Sequence, residues 1–373
     1  MIYMFKNNTL TLEEYKLVID KLCNSMKEKT MKPNELILIF YQDNQVNQNN
    51  IKFRKKHNIP IWEDNTGIEL EEYPMWALQY ENVMKYYFDS NPLKRNKELK
   101  NLKDFIKFAD INKIYTYYTK NTECLKNEIL ALEINIDFNQ IYDYSDLFKK
   151  VTTLPRISTH FGCIYNCIFC NSIDKKITYN DLFEKQLNYI KTNINTNWLY
   201  LGNKSYGQID TEFLMVERYL KDYNLIVQTR SDIILGEHHY IFNDKNIKMI
   251  ELGIESFDDD ILKSINKNIT SEISFKAIDK LSRLGKIVIP NILLNTPYHK
   301  PSTYEKDYNV ICDLLENQKI TYFNINNMAD YNSDDIIDWE QNIPIKSWNN
   351  PIQAELASEW YDKFVKLQTS LLV

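Results

Sequence analysis

Cys163-Ile164-Tyr165-Asn166-Cys167-Ile168-Phe169-Cys170 is the stretch from which the rest of the chain is best read. Three thiols fall at spacings of three and two intervening residues, directly after a candidate strand at 156–160. The other three cysteines, Cys23, Cys124 and Cys312, are scattered singly. A crowded triplet with isolated companions points to a metal centre in a reducing compartment rather than a disulfide framework. No apolar run approaches the length of a membrane span, and the first residues lack the charged-then-apolar pattern of a signal peptide, so a cytoplasmic location with no membrane partner is expected.

Outward from this loop the pattern becomes regular. Short apolar runs at 156–160, 198–201, 225–228, 249–254, 287–294 and 322–326 alternate with helical segments. Such alternation predicts parallel βαβ units curling into an α/β fold, a partial (β/α)6 barrel over 151–340. Polar residues recur just beyond the C-terminal ends of these runs: Asn203 and Lys204, Arg230 and Asp232, Glu255, Asn295, Asn327. In βα barrels that rim is where sites are built. Residues 341–373 read as a helical extension, with an amphipathic helix from 351 to about 371.

Residues 1–150 read as a mixed α/β accessory domain and a candidate substrate-binding region. Thr11 and Glu14 form a capping box that opens a helix to about 27, with Leu12, Tyr15, Ile19, Leu22 and Met26 on one face. Strands are expected at 35–41 and 111–118, and a helix at 73–88. The formal net charge of -6 gives no global field favouring nucleic acid or an anionic membrane. The densest basic stretch, 94–107, is interrupted by Glu98 and Asp104 and reads as a solvated helix face.

Three thiolates on a four-iron cube leave one iron open, and an open iron invites a ligand. The same residues admit a zinc knuckle completed by His160, or a thioredoxin-like Cys167/Cys170 pair. A non-catalytic iron-sulfur or zinc sensor module is the competing class. With Phe169 before the last cysteine, however, the loop resembles the signature of the radical S-adenosylmethionine (SAM) superfamily. The resemblance implies a partial barrel, a 4Fe-4S cluster held by Cys163, Cys167 and Cys170, and SAM as cofactor. It further implies reductive cleavage of SAM to a 5′-deoxyadenosyl radical that abstracts a substrate hydrogen, fed by an electron donor such as flavodoxin or ferredoxin.

Later segments carry the same resemblance, which covers roughly 155–330. Met249-Ile250-Glu251-Leu252-Gly253-Ile254-Glu255-Ser256, followed by Phe257, Asp258, Asp259, Ile261, Leu262 and Lys267, is similar to the fourth-strand segment of many such barrels. It implies cofactor roles for Glu255 and Lys267. Asn291-Ile292-Leu293-Leu294-Asn295-Thr296-Pro297 occupies the fifth-strand position, with Asn291 toward SAM and Asn295 in place of a glycine, a residue type that tolerates left-handed backbone. Of the second-strand glycine turn only Gly202 remains, in Leu201-Gly202-Asn203-Lys204-Ser205, and Arg230 ends the third strand. The implied cofactor contacts are therefore Phe169, Gly202, Asn203, Arg230, Glu255, Lys267 and Asn291.

Cobalamin-dependent relatives also carry an N-terminal domain, but one needing glycine-rich turns, and residues 1–150 contain Gly67 alone. After Cys170 only Cys312 remains, so cysteine supplies no auxiliary cluster. Cys312 and Tyr298 are the candidate catalytic residues; Val310, Ile311 and Leu314 around Cys312 read as an outer helix, where it would be a buried structural thiol. Tyr206, His299 and Tyr322 are further candidates for the mouth. A peptide substrate, as in RiPP-type modification, fits an appended α/β segment offering a strand edge. A small metabolite or a nucleoside, with or without cobalamin, is the alternative.

Overall fold

Strands buried on both faces are expected to form a parallel sheet with helices packed against it, and the computed structural model shows such a sheet. It describes residues 45–63, 152–170, 176–294, 296, 298–327 and 351–373, together with the short strands Ile2–Lys6, Ile37–Tyr41, Glu69–Leu70, Tyr115–Tyr117, Ile337–Asp338 and Ile343–Pro344. The six strands are β1 (Arg156–Ile157), β2 (Trp198–Leu201), β3 (Asn224–Arg230), β4 (Ile247–Glu255), β5 (Ile287–Leu294) and β6 (Asn324–Asn327). Each pairs in parallel with its sequence neighbour. Helices follow each strand: α2 (Phe183–Asn193), α3 (Thr211–Met215), α4 (Ser231–Leu235), α5 (Asp259–Ser264), α6 (Ser271–Arg283) and α7 (Pro301–Glu316), with α8 (Pro351–Ser370) closing the chain. This is the α/β architecture expected of a partial (β/α)6 barrel.

Alternation along each strand divides the core into two faces. Leu199, Leu201, Leu225, Val227, Ile250, Leu252, Val288 and Phe323 pack outward beneath Phe183, Leu187, Ile278, Leu281, Ile311 and Leu314 of the helices. On the inner face Trp198, Tyr200, Ile226, Met249, Ile289 and Tyr322 form a separate cluster at the N-terminal end of the sheet. It is closed by helix α1 (Gln45–Lys56), whose Phe53 stacks on Tyr322 with ring centroids 4.4 Å apart. Tyr322 Oη donates to Asn50 Oδ1 at 2.8 Å, and Asn49 Nδ2 donates to Thr369 Oγ1 of α8 at 3.0 Å. The same helix carries Arg54 into the interior, 3.8 Å from Glu251, whose carboxylate also accepts from Tyr200 Oη at 2.6 Å.

Two expected strands, 198–201 and 287–294, coincide with β2 and β5; β3 and β4 run beyond their apolar cores. The run at 156–160 is split. Thr159 N donates to the side-chain oxygen of Asn203 at 3.1 Å instead of continuing the ladder, and His160–Phe161 pairs antiparallel with Thr178–Tyr179. Strands Ile37–Tyr41 and Tyr115–Tyr117 fall within the expected 35–41 and 111–118, and with Ile2–Lys6 they form a parallel three-stranded sheet centred on Ile37–Tyr41. The helices expected at 11–27 and 73–88, and the basic stretch 94–107, lie outside the described residues. Tyr322 belongs to the inner cluster at the N-terminal end rather than to the mouth, and Tyr206 is fully buried against Phe242.

Phe53→Ala removes the ring that closes the inner cluster and should destabilise the protein by about 3–5 kcal/mol. Urea unfolding followed by tryptophan fluorescence measures it.

Candidate metal centre and cofactor site

The cysteine loop begins where the chain leaves Phe161 through Gly162, whose φ of 84° turns the backbone in a way open to glycine. Cys163 is buried, Cys167 half-buried and Cys170 exposed. Both flanks of the loop are tied down. Ile164 N donates to Gln208 Oε1 at 3.1 Å, from the segment after β2. Ile168 N donates to Ile265 O at 3.1 Å, and Asn266 Nδ2 to Asn166 O at 2.5 Å, both from the segment after α5. Phe169 packs on the cluster of Ile261, Leu262, Ile265, Ile269 and Leu293.

From the end of β3, Arg230 reaches into the loop. Its Nη1 donates to Cys167 Sγ at 3.2 Å, its Nη2 donates to Lys267 O at 2.6 Å, and its guanidinium lies 3.7 Å from the centroid of the Tyr165 ring. Asp232 holds the fork at both Nε (2.9 Å) and Nη2 (3.2 Å). Burial opposes the guanidinium's charge, but Asp232, Cys167 and Tyr165 outweigh it and hold the proton more tightly. Burial, reinforced by Asp232, pushes the Tyr165 phenol up to about 12. Burial also raises the Cys167 thiol, opposed by the positive charges of Lys267 and Arg230.

Glu255 is the last residue of β4 and carries a φ of 70°, uncommon for a residue other than glycine. The register against β5 slips between Gly253 and Glu255, so the strand bulges there. The turned carboxylate meets Lys267 Nζ at 2.8 Å, both groups buried. A Cβ at position 253 would lie 2.9 Å from Glu255 Oε1 and from Lys267 Nζ, so Gly253 leaves the space that the pair fills. Next along the chain, Ser256 Oγ donates to Asp307 Oδ2 at 2.8 Å and Phe257 N donates to Asp307 Oδ1 at 2.6 Å. That carboxyl, on α7, is buried, and burial pushes its pKa up to about 7.

The expected cofactor residues do not all serve alike. Arg230, Glu255, Lys267 and Phe169 converge on the cysteine loop, with Lys267 Nζ 5.6 Å from the Phe169 ring centroid. Gly202 lies under Arg156, where a Cβ would meet Nε at 2.7 Å. Asn291 faces inward, its Oδ1 accepting from Asn324 Nδ2 at 2.9 Å. Asn203 is committed to the protein: its Nδ2 donates to Thr159 Oγ1 (2.7 Å) and Glu212 Oε1 (2.6 Å), and its Oδ1 accepts from Thr159 N. The buried Glu212, which also accepts from Gly207 N at 2.7 Å and pairs with His160, was not singled out in the sequence, nor was Asp307. Both are acids inside helices, where spacing alone gives no sign that they face inward.

Tyr298 is 42% exposed on the segment after β5. His299 is buried, which lowers its pKa to about 4, and its Nδ1 accepts from Thr296 N at 3.2 Å. Cys312, expected to be buried, is half-buried. It lies on α7 beside Tyr308, which packs against Trp360 and Phe364 of α8, because its neighbours Ile311 and Leu314 turn that helix toward the outer core. Asn295 lies outside the described residues. Among the described residues no three His, Cys, Asp or Glu side chains are gathered tightly enough to hold a metal ion in this conformation. The donors nonetheless suit a cluster in kind: three thiols on one loop, each of Cys163 and Cys167 within electrostatic reach of Cys170 and of Arg230.

No family model matches the chain, and no curated protein matches it. Solved structures do resemble it. The neighbours are radical SAM enzymes. One is the methyltransferase TsrM from Kitasatospora setae, with cobalamin and a [4Fe-4S] cluster bound: 13% identity and a TM-score of 0.39 over 46% of this chain and 34% of that one. Another is coproporphyrinogen III oxidase from Escherichia coli, at 12% identity and a TM-score of 0.41 over 57% and 51%. A third is SuiB from Streptococcus suis, bound to SAM, at 16% identity and a TM-score of 0.40 over 72% and 59%. This chain thus spans from 34% to 59% of the length of these structures.

Gly253→Ala forces its methyl into the Glu255–Lys267 contact and should destabilise the protein by about 1–3 kcal/mol, read by urea unfolding. Asp307 has a folded-state pKa of about 7 against an ordinary value of 3.8, so its contribution to stability is present below pH 3.8 and is lost as pH rises through 7. Asp307→Asn keeps an acceptor for Phe257 N and removes that titration. Relative to the unsubstituted protein the variant should therefore gain stability steadily from about pH 4 to about pH 7 and then level off. Urea midpoints across that range provide the check.

Proposed function

We propose that this protein is a radical SAM enzyme in which Cys163, Cys167 and Cys170 hold a 4Fe-4S cluster. One observation carries the reading. The cysteine loop is docked onto the segment that bears Lys267, so Cys167, Arg230, Lys267 and Glu255 meet at the C-terminal end of one parallel sheet. In open α/β sheets that end is where ligands bind.

When bound, the cluster supplies an electron that cleaves SAM to methionine and a 5′-deoxyadenosyl radical. The chain's residues do the positioning. Lys267 is a buried ammonium with three N–H donors, only one of them needed by Glu255, so it can also donate to the carboxylate of a methionyl group. Glu255 meets Lys267 through Oε1, which leaves its other oxygen to accept from a ribose hydroxyl. Phe169 and the apolar cluster beneath it shield that side from water. Below, the inner face is closed by the packing of Phe53 and Tyr322, so substrate enters from the rim. A flavodoxin- or ferredoxin-type donor would approach the exposed Cys170 side.

The substrate class that this architecture favours is a peptide, paired along an edge of the three-stranded sheet of Ile2–Lys6, Ile37–Tyr41 and Tyr115–Tyr117. A small polar metabolite is a second reading, favoured by the polar layer of Arg156, Tyr200, Glu251, Asn291 and Asn324 on the inner face.

Anaerobic reconstitution with iron and sulfide should give a cluster with visible absorbance, and dithionite with SAM should then yield 5′-deoxyadenosine. Cys167→Ala should abolish both. A cluster that never cleaves SAM, or protein that binds zinc in its place, would sink the proposal.

A further inference from the structure

The contacts of Arg230 suggest a task apart from holding SAM. The guanidinium is fixed on four sides: Asp232 grips two of its nitrogens, Lys267 O accepts from Nη2, and the Tyr165 ring lies against its face. A side chain so constrained cannot swing toward a ligand without breaking these contacts. The nitrogen left over, Nη1, donates to Cys167 Sγ at 3.2 Å. We propose that Arg230 sets the reduction potential of the cluster through this hydrogen bond to a ligand sulfur, and that Asp232 limits the effect. The inference rests on the reading of Cys163, Cys167 and Cys170 as cluster ligands.

The couple is one electron, passed from a low-potential donor to the cluster, with no proton transferred and no bond broken. Reduction adds one negative charge to a centre whose sulfurs share it. A guanidinium N–H aimed at one of those sulfurs stabilises the reduced state more than the oxidised one, which moves the potential upward. Asp232 acts in the opposite sense, because its carboxylate neutralises much of the guanidinium charge at longer range. What survives is the short-range donation to sulfur, which the Lys267 carbonyl and the Tyr165 ring also hold in place. Arg230 is thus a positioning and tuning residue rather than a catalytic one.

A mediator titration without SAM, with the reduced cluster followed by electron paramagnetic resonance, separates this role from a structural one. Relative to the unsubstituted protein, Arg230→Gln should lower the ratio of reduced to oxidised cluster about tenfold at fixed potential, a shift of roughly 59 mV to more negative values for one electron. Asp232→Asn removes the counter-charge and should shift the potential the other way. Cluster-loaded Arg230→Gln titrating with the unsubstituted protein overturns the inference, as does Asp232→Asn shifting negatively or not at all. If Arg230→Gln takes up no cluster, the sign of the Asp232→Asn shift decides alone. If the unsubstituted protein takes up none, it is the radical SAM reading that fails.

Discussion

Two opposite charges buried side by side organise the rim of this protein. Removing Glu255 and Lys267 from water is unfavourable unless each finds the other and the remaining polar atoms nearby are satisfied. The chain meets that condition with unusual backbone. A left-handed residue at the end of β4 points the carboxylate inward, a glycine two positions earlier clears the space, and Asp307 clamps the following Ser256 and Phe257 from a different helix. The segment carrying Lys267 is in turn the platform for the cysteine loop, directly through Ile265 and Asn266, while the Lys267 carbonyl holds Arg230 against Cys167. Loosening the pair would loosen the loop.

Much of this was legible in the sequence because the signals were local. Three close cysteines, a long apolar strand ending in Gly253-Ile254-Glu255-Ser256 and a lysine twelve positions on are all visible in the chain. The backbone conformation was not legible: nothing in the sequence marks Glu255 for the left-handed geometry it adopts at the end of β4. Asn203 illustrates a different gap. Its hydrogen bonds to Glu212, nine residues later, and to Thr159 leave no trace in the local sequence around Gly202.

Helix α1 escaped sequence reading for a compositional reason. Gln45-Val46-Asn47-Gln48-Asn49-Asn50 is polar, and three of its six residues are asparagines, poor helix formers, so neither periodicity nor propensity marks it. Its buried side includes Asn49, Asn50 and Arg54, polar residues that would ordinarily be assigned to solvent. They are tolerated inside because tertiary partners await them: Thr369 on α8, the Tyr322 hydroxyl and Glu251 on β4. No local rule anticipates partners hundreds of residues away.

That helix also ties the early part of the chain to the sheet in a manner that sequence segmentation hides. Without Phe53 and Arg54 the inner face would present Trp198, Tyr200, Met249, Ile289 and Tyr322 to water and leave Glu251 without its buried cation. The inner face of the six-stranded sheet is therefore completed by residues 45–56. Residues 45–56 form its floor, and in chain order that floor is synthesised before every strand it covers.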